Sequence, residues 1–204
     1  MLGLPEKTEI RKKLDKTAVY RMFNLSSKEI EAFDADISRM YFVNEVSRFT
    51  TNLPEGDNVK IFHVVQVLLK RKNYDIKVIT KLFKLINNNI ILVLTHEGES
   101  RLAVFHNKII CNDWMNSDSQ RIELRGLNMD TVWSNIVTQI GNIEVVEGLN
   151  LDELLCRDEK RKKIHKEILK LEKAAVSERQ PKKKFEIVQE IKKLQKELEY
   201  INGT

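Results

Sequence analysis

FHVVQVLLKRKNYDIKVITKLFKLINNNIILVL, residues 62–94, contains two apolar runs separated by a stretch of helical periodicity. The first belongs to VKIFHVVQVLL (59–69), nearly continuous β-branched and apolar sequence, as expected of a strand covered on both faces. It ends in Lys70, Arg71 and Lys72, where the chain meets water. YDIKVITKLFKLI (74–86) then sets Ile76, Ile79, Leu82, Phe83 and Ile86 at helical spacing behind Asp75, a good capping residue. Asn87, Asn88 and Asn89 are expected to turn the chain, because asparagine tolerates left-handed backbone. NIILVLTHEGESRLAVFHNKII (89–110) reads as a β-hairpin, two apolar runs around a connection that contains Gly98.

Upstream, residues 1–46 read as short helices leading into a strand. SSKEIEAF (26–33) places Ser26 or Ser27 at an N-cap, with Glu29 or Glu31 able to bond back to the helix start. DISRMYFVNEVS (36–47) is rich in β-formers, and TTNLPEGDN (50–58) is a loop. Downstream, RIELRGLNMDTVWSNIVTQIGNI (121–143) predicts a short strand, then a helix that starts near Asn128 or Asp130 and stops at Gly141. The whole predicts an α+β fold, a mixed sheet packed with helices.

Beyond EVVEGLN the composition changes, and Lys and Glu crowd in. Ile187, Ile191, Leu194, Leu198 and Ile201 recur at spacings of 4, 3, 4 and 3, a heptad seam. Ile164, Ile168, Leu171 and Ala175 keep the same rhythm upstream, and Pro181 interrupts the helix between them. Folding the chain back about Pro181 sets Ala175 beside Ile187, Leu171 beside Ile191, Ile168 beside Leu194 and Ile164 beside Leu198. We therefore expect a globular α+β domain over 1–149 and an antiparallel coiled-coil helical hairpin over 150–204. The hairpin carries 15 basic and 11 acidic side chains, so most of the chain's net charge of +5 lies there.

The bulk composition excludes several classes. No run of about 18 apolar residues exists, so no membrane helix is expected. The start, MLGLPEKTEIRKKLDK, turns polar too soon for a secretory signal. Cys111 and Cys156 lie far apart, which fits a reducing cytoplasm better than a disulfide framework.

Little in the sequence points to catalysis. A strand that ends in lysines and is followed by a helix and a second strand resembles the core of restriction-type nucleases, which need carboxylates for Mg²⁺ and a lysine nearby. Here the acidic position of the middle strand falls on Gln66, which cannot supply a negative ligand. Asp36 and Asp57 would have to serve with Lys70. The simpler reading is a core strand with a basic end; a degenerate nuclease fold is an alternative. His63, His96, His106 and His165 show no metal-site spacing, no Cys-x-x-Cys occurs, and a nucleophilic pairing of Cys111 with His106 or His63 has no motif behind it. No cofactor, metal or small-molecule substrate is expected, and enzymatic activity is not. Two basic clusters remain as nucleic-acid-binding positions: Lys162 and Lys163, and the hairpin tip of Arg179, Lys182, Lys183 and Lys184. No aromatic residue interleaves with these lysines, which argues against base stacking there.

With these landmarks placed, the chain resembles the bacterial family known as domain of unknown function 4391. The resemblance rests on LGLPEKTEIRKKLDK, IFHVVQVLLKRKNYDIKVI, LINNNIILVLTHEGESRLAVFHN, GLNMDTVWSNIVTQI and EIVQEIKKLQKELEYI, nearly the full length. Similar sequences carry an acidic residue where Gln66 stands. Members tend to sit near helicase-like, methylase-like and restriction-like genes. The resemblance thus implies a non-enzymatic accessory subunit of a prokaryotic DNA-processing or antiphage defence system. It would act through a helicase-like or methylase-like protein partner or a second copy of itself. The interaction seam would be Ile187, Ile191, Leu194 and Leu198, with nucleic-acid binding through the basic tip as the alternative.

Overall fold

The computed structural model describes residues 2–84 and 89–203 and divides into two compact units, 1–142 and 143–204. The first is α+β, as its alternation of patterns predicts. Its sheet consists of β1 (Glu9–Leu14), β2 (Ile37–Ser47), β3 (Ile61–Leu69), β4 (Asn89–His96), β5 (Glu99–His106) and β6 (Lys108–Cys111) in spatial sequence, with β7 (Met115–Asn116) paired to β5. β3 and β4 run parallel, joined by the crossover that contains α4 (Ile76–Phe83); the other neighbours run antiparallel. This parallel pair is the strand–helix–strand read from residues 62–94.

The sheet has two different faces. Side chains alternate along a strand, so Val65, Val67 and Leu69 project to one side with Leu92 and Leu94. There they join Val19 of α1 (Lys16–Met22), Phe33 of α2 (Ser27–Asp36), and Ile79 and Leu82 of α4 in one buried cluster. The opposite face receives Phe62, whose ring lies 5.6 Å from that of Trp133 on α5 (Met129–Gly141). Val132, Ile136, Val137 and Ile140 of α5 are buried as well.

Local chemistry sets the element ends. Ser26 caps α2, its N–H and hydroxyl both donating to Glu29 in a capping box. Asp75 caps α4 by accepting from the Lys77 N–H at 2.9 Å. Asn128 caps α5 by accepting from Thr131, and Asp130 in its first turn accepts backbone N–H bonds from Asp57, Asn58 and Val59. This clamp fixes the loop that enters β3. Burial alone would push the Asp130 carboxyl up, but those N–H groups outweigh it and hold the carboxyl below its ordinary value.

Several expectations are corrected. Residues 9–14, read within a helical region, form the edge strand β1, whose side chains are mostly exposed and so carry no apolar alternation. Residues 121–126 form no strand; the Ile122 N–H instead donates to the Leu2 carbonyl at 2.8 Å. α5 includes Gly141 and is terminated by Asn142 in the left-handed conformation, φ 47°. Asn89 begins β4 instead of turning the chain, and Ile76 lies exposed at the start of α4. Ile86, Asn87 and Asn88 lie outside the described residues.

The second unit is a helical hairpin. α6 (Leu151–Ser177) is capped by Asn150, whose side chain accepts from the Glu153 N–H while Glu153 bonds back to the Asn150 N–H. Its partner α7 (Pro181–Gly203) packs along it after a short connection. Pro181 opens α7 as its first residue, where a missing N–H costs nothing. At 1.5 Å per residue the arms are about 40 and 35 Å long. Among the described residues no helix is long and apolar enough to cross a membrane.

Candidate functional site

The hairpin seam is unevenly buried. On α6, Ile164, Ile168 and Ala175 are buried and Leu171 half-buried. On α7, Ile187, Ile191, Leu194 and Leu198 are all half-buried, because a single facing helix covers only one side of each. Leu169, Val176, Phe185 and Tyr200 are exposed outside the seam, Val176 and Tyr200 by 84% and 74%. One flank forms a groove of about 390 Å³ with Leu169 and Leu198 as its apolar part and Arg161, Lys162, His165 and Lys166 around them. Part of that charge is neutralised: Asp158 lies 3.2 Å from Arg161 and 2.7 Å from Lys162.

The basic positions separate into two groups. Lys162 and Lys163 lie about 20 Å along α6 from its end at Ser177, at 1.5 Å per residue. Arg179, Lys182, Lys183 and Lys184 are exposed around the connection, and no ion pair links them to a carboxylate among the described residues. Among the described residues the tip is thus a cationic cluster without ion pairs, and Lys163 has none either, while Lys162 is an ion-paired surface lysine.

The basic end of β3 is a structural joint. Asp36 is fully buried at the end of α2. Its carboxylate accepts from Arg71 Nε at 2.6 Å and from the Asp75 N–H at 2.7 Å, and its carbonyl accepts from the Lys70 N–H. Asp57 precedes β3 whereas Lys70 follows it, so a nine-residue strand, about 30 Å at 3.3 Å per residue, separates them. Asp36, Asp57 and Lys70 thus do not converge as a nuclease site requires. Among the described residues no three His, Cys, Asp or Glu come together to hold a metal ion. Burial pushes the Cys111 thiol up, opposite to what an activated nucleophile needs.

Gln66 has a different setting. It projects from β3 to the face opposite Val65 and Val67, into a pocket of about 100 Å³ lined also by Asn44, Val93, Thr95, Ser100 and Ser117. Thr95 and Ser100 face each other across β4 and β5. Such pairs ordinarily hydrogen-bond, yet the buried hydroxyl oxygens of Thr95, Ser100 and Ser117 have no partner among the described residues. Glu9, Arg11 and Asp118 also line the pocket, Arg11 lying 3.3 Å from Glu9. Two irregularities shape this corner: β1 slips register between Glu9 and Lys12, and β2 between Phe42 and Asn44. Sequence reasoning singled out Gln66 only as a missing acid. The serine and threonine hydroxyls gave no signal, because single hydroxyls in strands are common.

One family model, described as Domain of unknown function (DUF4391), matches residues 2–198. No curated protein and no solved structure matches the chain.

Proposed function

We propose that this chain, which belongs to the DUF4391 family, is an interaction subunit that docks a partner through its C-terminal hairpin. The observation that carries the reading is the half-buried seam of Ile187, Ile191, Leu194 and Leu198. A two-helix hairpin leaves the outer half of such residues in water, and a further helix laid alongside would bury it, as coiled coils do. The adjacent groove, apolar at Leu169 and Leu198 with Lys166 beside them, favours a partner helix with an acidic flank. The gene neighbourhoods implied by the family resemblance support a larger helicase-like or methylase-like partner in DNA processing or antiphage defence.

The test is a tagged capture of the full chain from its host, with and without nuclease treatment, repeated with Ile191→Asp and Leu194→Asp together. A stoichiometric protein partner that survives nuclease and is lost in the double variant supports docking at the seam. Helicity read by circular dichroism separates lost docking from a lost hairpin. Assembly unchanged by both substitutions would sink the reading.

A second reading rests on the tip. Arg179, Lys182, Lys183 and Lys184, exposed and without carboxylate partners, suit phosphates of a nucleic acid. Partners released by nuclease treatment would favour it.

A further inference from the structure

The pocket around Gln66 is built from features that each cost stability. A buried hydroxyl without a hydrogen bond is destabilising, and three such hydroxyls, those of Thr95, Ser100 and Ser117, line this cavity. Ser100 is 1% exposed. Arg11, with φ of 39°, stands on the pocket wall in the stretch of β1 where the register slips. The neighbouring slip in β2 brings the adjacent residues Val43 and Asn44 onto the same wall, where regular alternation would allow only one. Left-handed backbone at a non-glycine residue is uncommon and concentrates at functional sites.

The lining selects the chemistry. Gln66 and the three hydroxyls are uncharged groups that both donate and accept. Leu2, Val43 and Val93 supply apolar surface. A phosphate is disfavoured because Glu9 and Asp118 line the site and Arg11 is already paired to Glu9. A cation finds too few carboxylates. The pocket, about 100 Å³ and open to solvent, is smaller than the roughly 150 Å³ cavity that encloses a benzene ring, so it takes the edge of one small ring rather than enclosing a larger ligand. We propose that this pocket binds an uncharged six-membered heterocycle of the pyrimidine kind, its edge hydrogen-bonded by Gln66, Thr95 and Ser100. The ring can come from a free nucleoside or from a base splayed out of a single strand, and it is read independently of the hairpin.

The experiment titrates the full chain with uridine and cytidine, and separately with a single-stranded oligothymidylate. Wild type is compared with Thr95→Val, Ser100→Ala and the double variant. These substitutions remove unpartnered hydroxyls, so melting temperature should hold or rise, while affinity falls about tenfold in the double variant. Saturable nucleoside binding weakened in this way assigns a free ligand. Binding of the oligonucleotide alone, weakened by the same variants, assigns a base in a strand. No saturable binding of either probe overturns the proposal. So does oligonucleotide binding that ignores Thr95→Val and Ser100→Ala, because it then belongs to the cationic tip. Ordered water alone on the three hydroxyls, in crystals grown with uridine and with the oligothymidylate, also overturns it.

Discussion

Arg71 Nε donates to the carboxylate of Asp36 at 2.6 Å, and Asp36 is completely buried while Arg71 reaches into solvent. Because the other carboxylate oxygen accepts from the Asp75 N–H, one side chain joins the end of α2, the exit of β3 and the cap of α4. Its loss would leave the Asp75 N–H without its acceptor, and truncating Arg71 would leave a buried carboxylate short of its cation. We expect Asp36→Ala to cost about 1–3 kcal/mol in lost hydrogen bonds, and Arg71→Ala to destabilise as well, because the Asp36 carboxylate then stays buried without its cation. Urea unfolding of the two single variants and the double variant would show strong non-additivity. Additive effects would mean that the contact does not couple the two elements.

The Asp130 clamp predicts a pH dependence. Its folded carboxyl lies below the ordinary value, so its contribution is present above the unfolded value of about 3.9 and is lost as pH falls through the folded one. Asp130→Asn should therefore lower the melting temperature at pH 7, and the gap to wild type should narrow as pH falls below about 3.9. A gap that stays constant with pH would show that the carboxylate's charge does not matter.

Gly56 reaches the same clamp from the other side. A Cβ there would stand 2.3 Å from Asp130 Cγ and 2.7 Å from the Asp130 backbone nitrogen, too close for a flexible side chain alone to yield. We expect Gly56→Ala to destabilise by about 1–3 kcal/mol and to be less harmful when Asp130 is already alanine. Equal effects in both backgrounds would separate Gly56 from the clamp.

These joints show why parts of the molecule were legible and others were not. β3, α4 and β4 could be read because burial on both faces leaves continuous apolar runs around a helical spacing. The hairpin could be read because a 3–4 rhythm survives across Pro181. β1 was missed because EIRKKL lies on an edge, exposed and charged, and its pairing with β2 is a long-range fact with no local mark. The Asp36 joint and the Asp130 clamp bring together residues 35 and about 70 positions apart, through a guanidinium and backbone N–H groups that have no sequence signature. The Gln66 pocket was hidden for a related reason: its hydroxyls are informative through the partners they lack, which only the fold reveals.

Glu29 offers a spectroscopic check on the helical layer. Its carboxylate accepts from Lys81 of α4 and from the Ser26 hydroxyl and N–H, and together these hold its pKa at about 2. NMR titration should place Glu29 near that value in wild type and nearer the ordinary 4.3 in Lys81→Ala. An unchanged midpoint would remove the α2–α4 ion pair from solution.

The hairpin tip gives the last prediction. If Arg179, Lys182, Lys183 and Lys184 contact phosphates, each contact releases counterions, and affinity falls steeply and log-linearly with salt. Replacing Lys182, Lys183 and Lys184 by Glu should abolish binding to a double-stranded DNA probe at physiological salt. Lys183→Ala alone should weaken it and reduce the salt slope by about one. Lys162→Ala should leave affinity nearly unchanged, because Lys162 is paired to Asp158 and lies well down the arm. Fluorescence anisotropy across a salt series measures all three. Equal sensitivity at Lys162 and at the tip would mean that the helix flank, rather than the turn, is the contact.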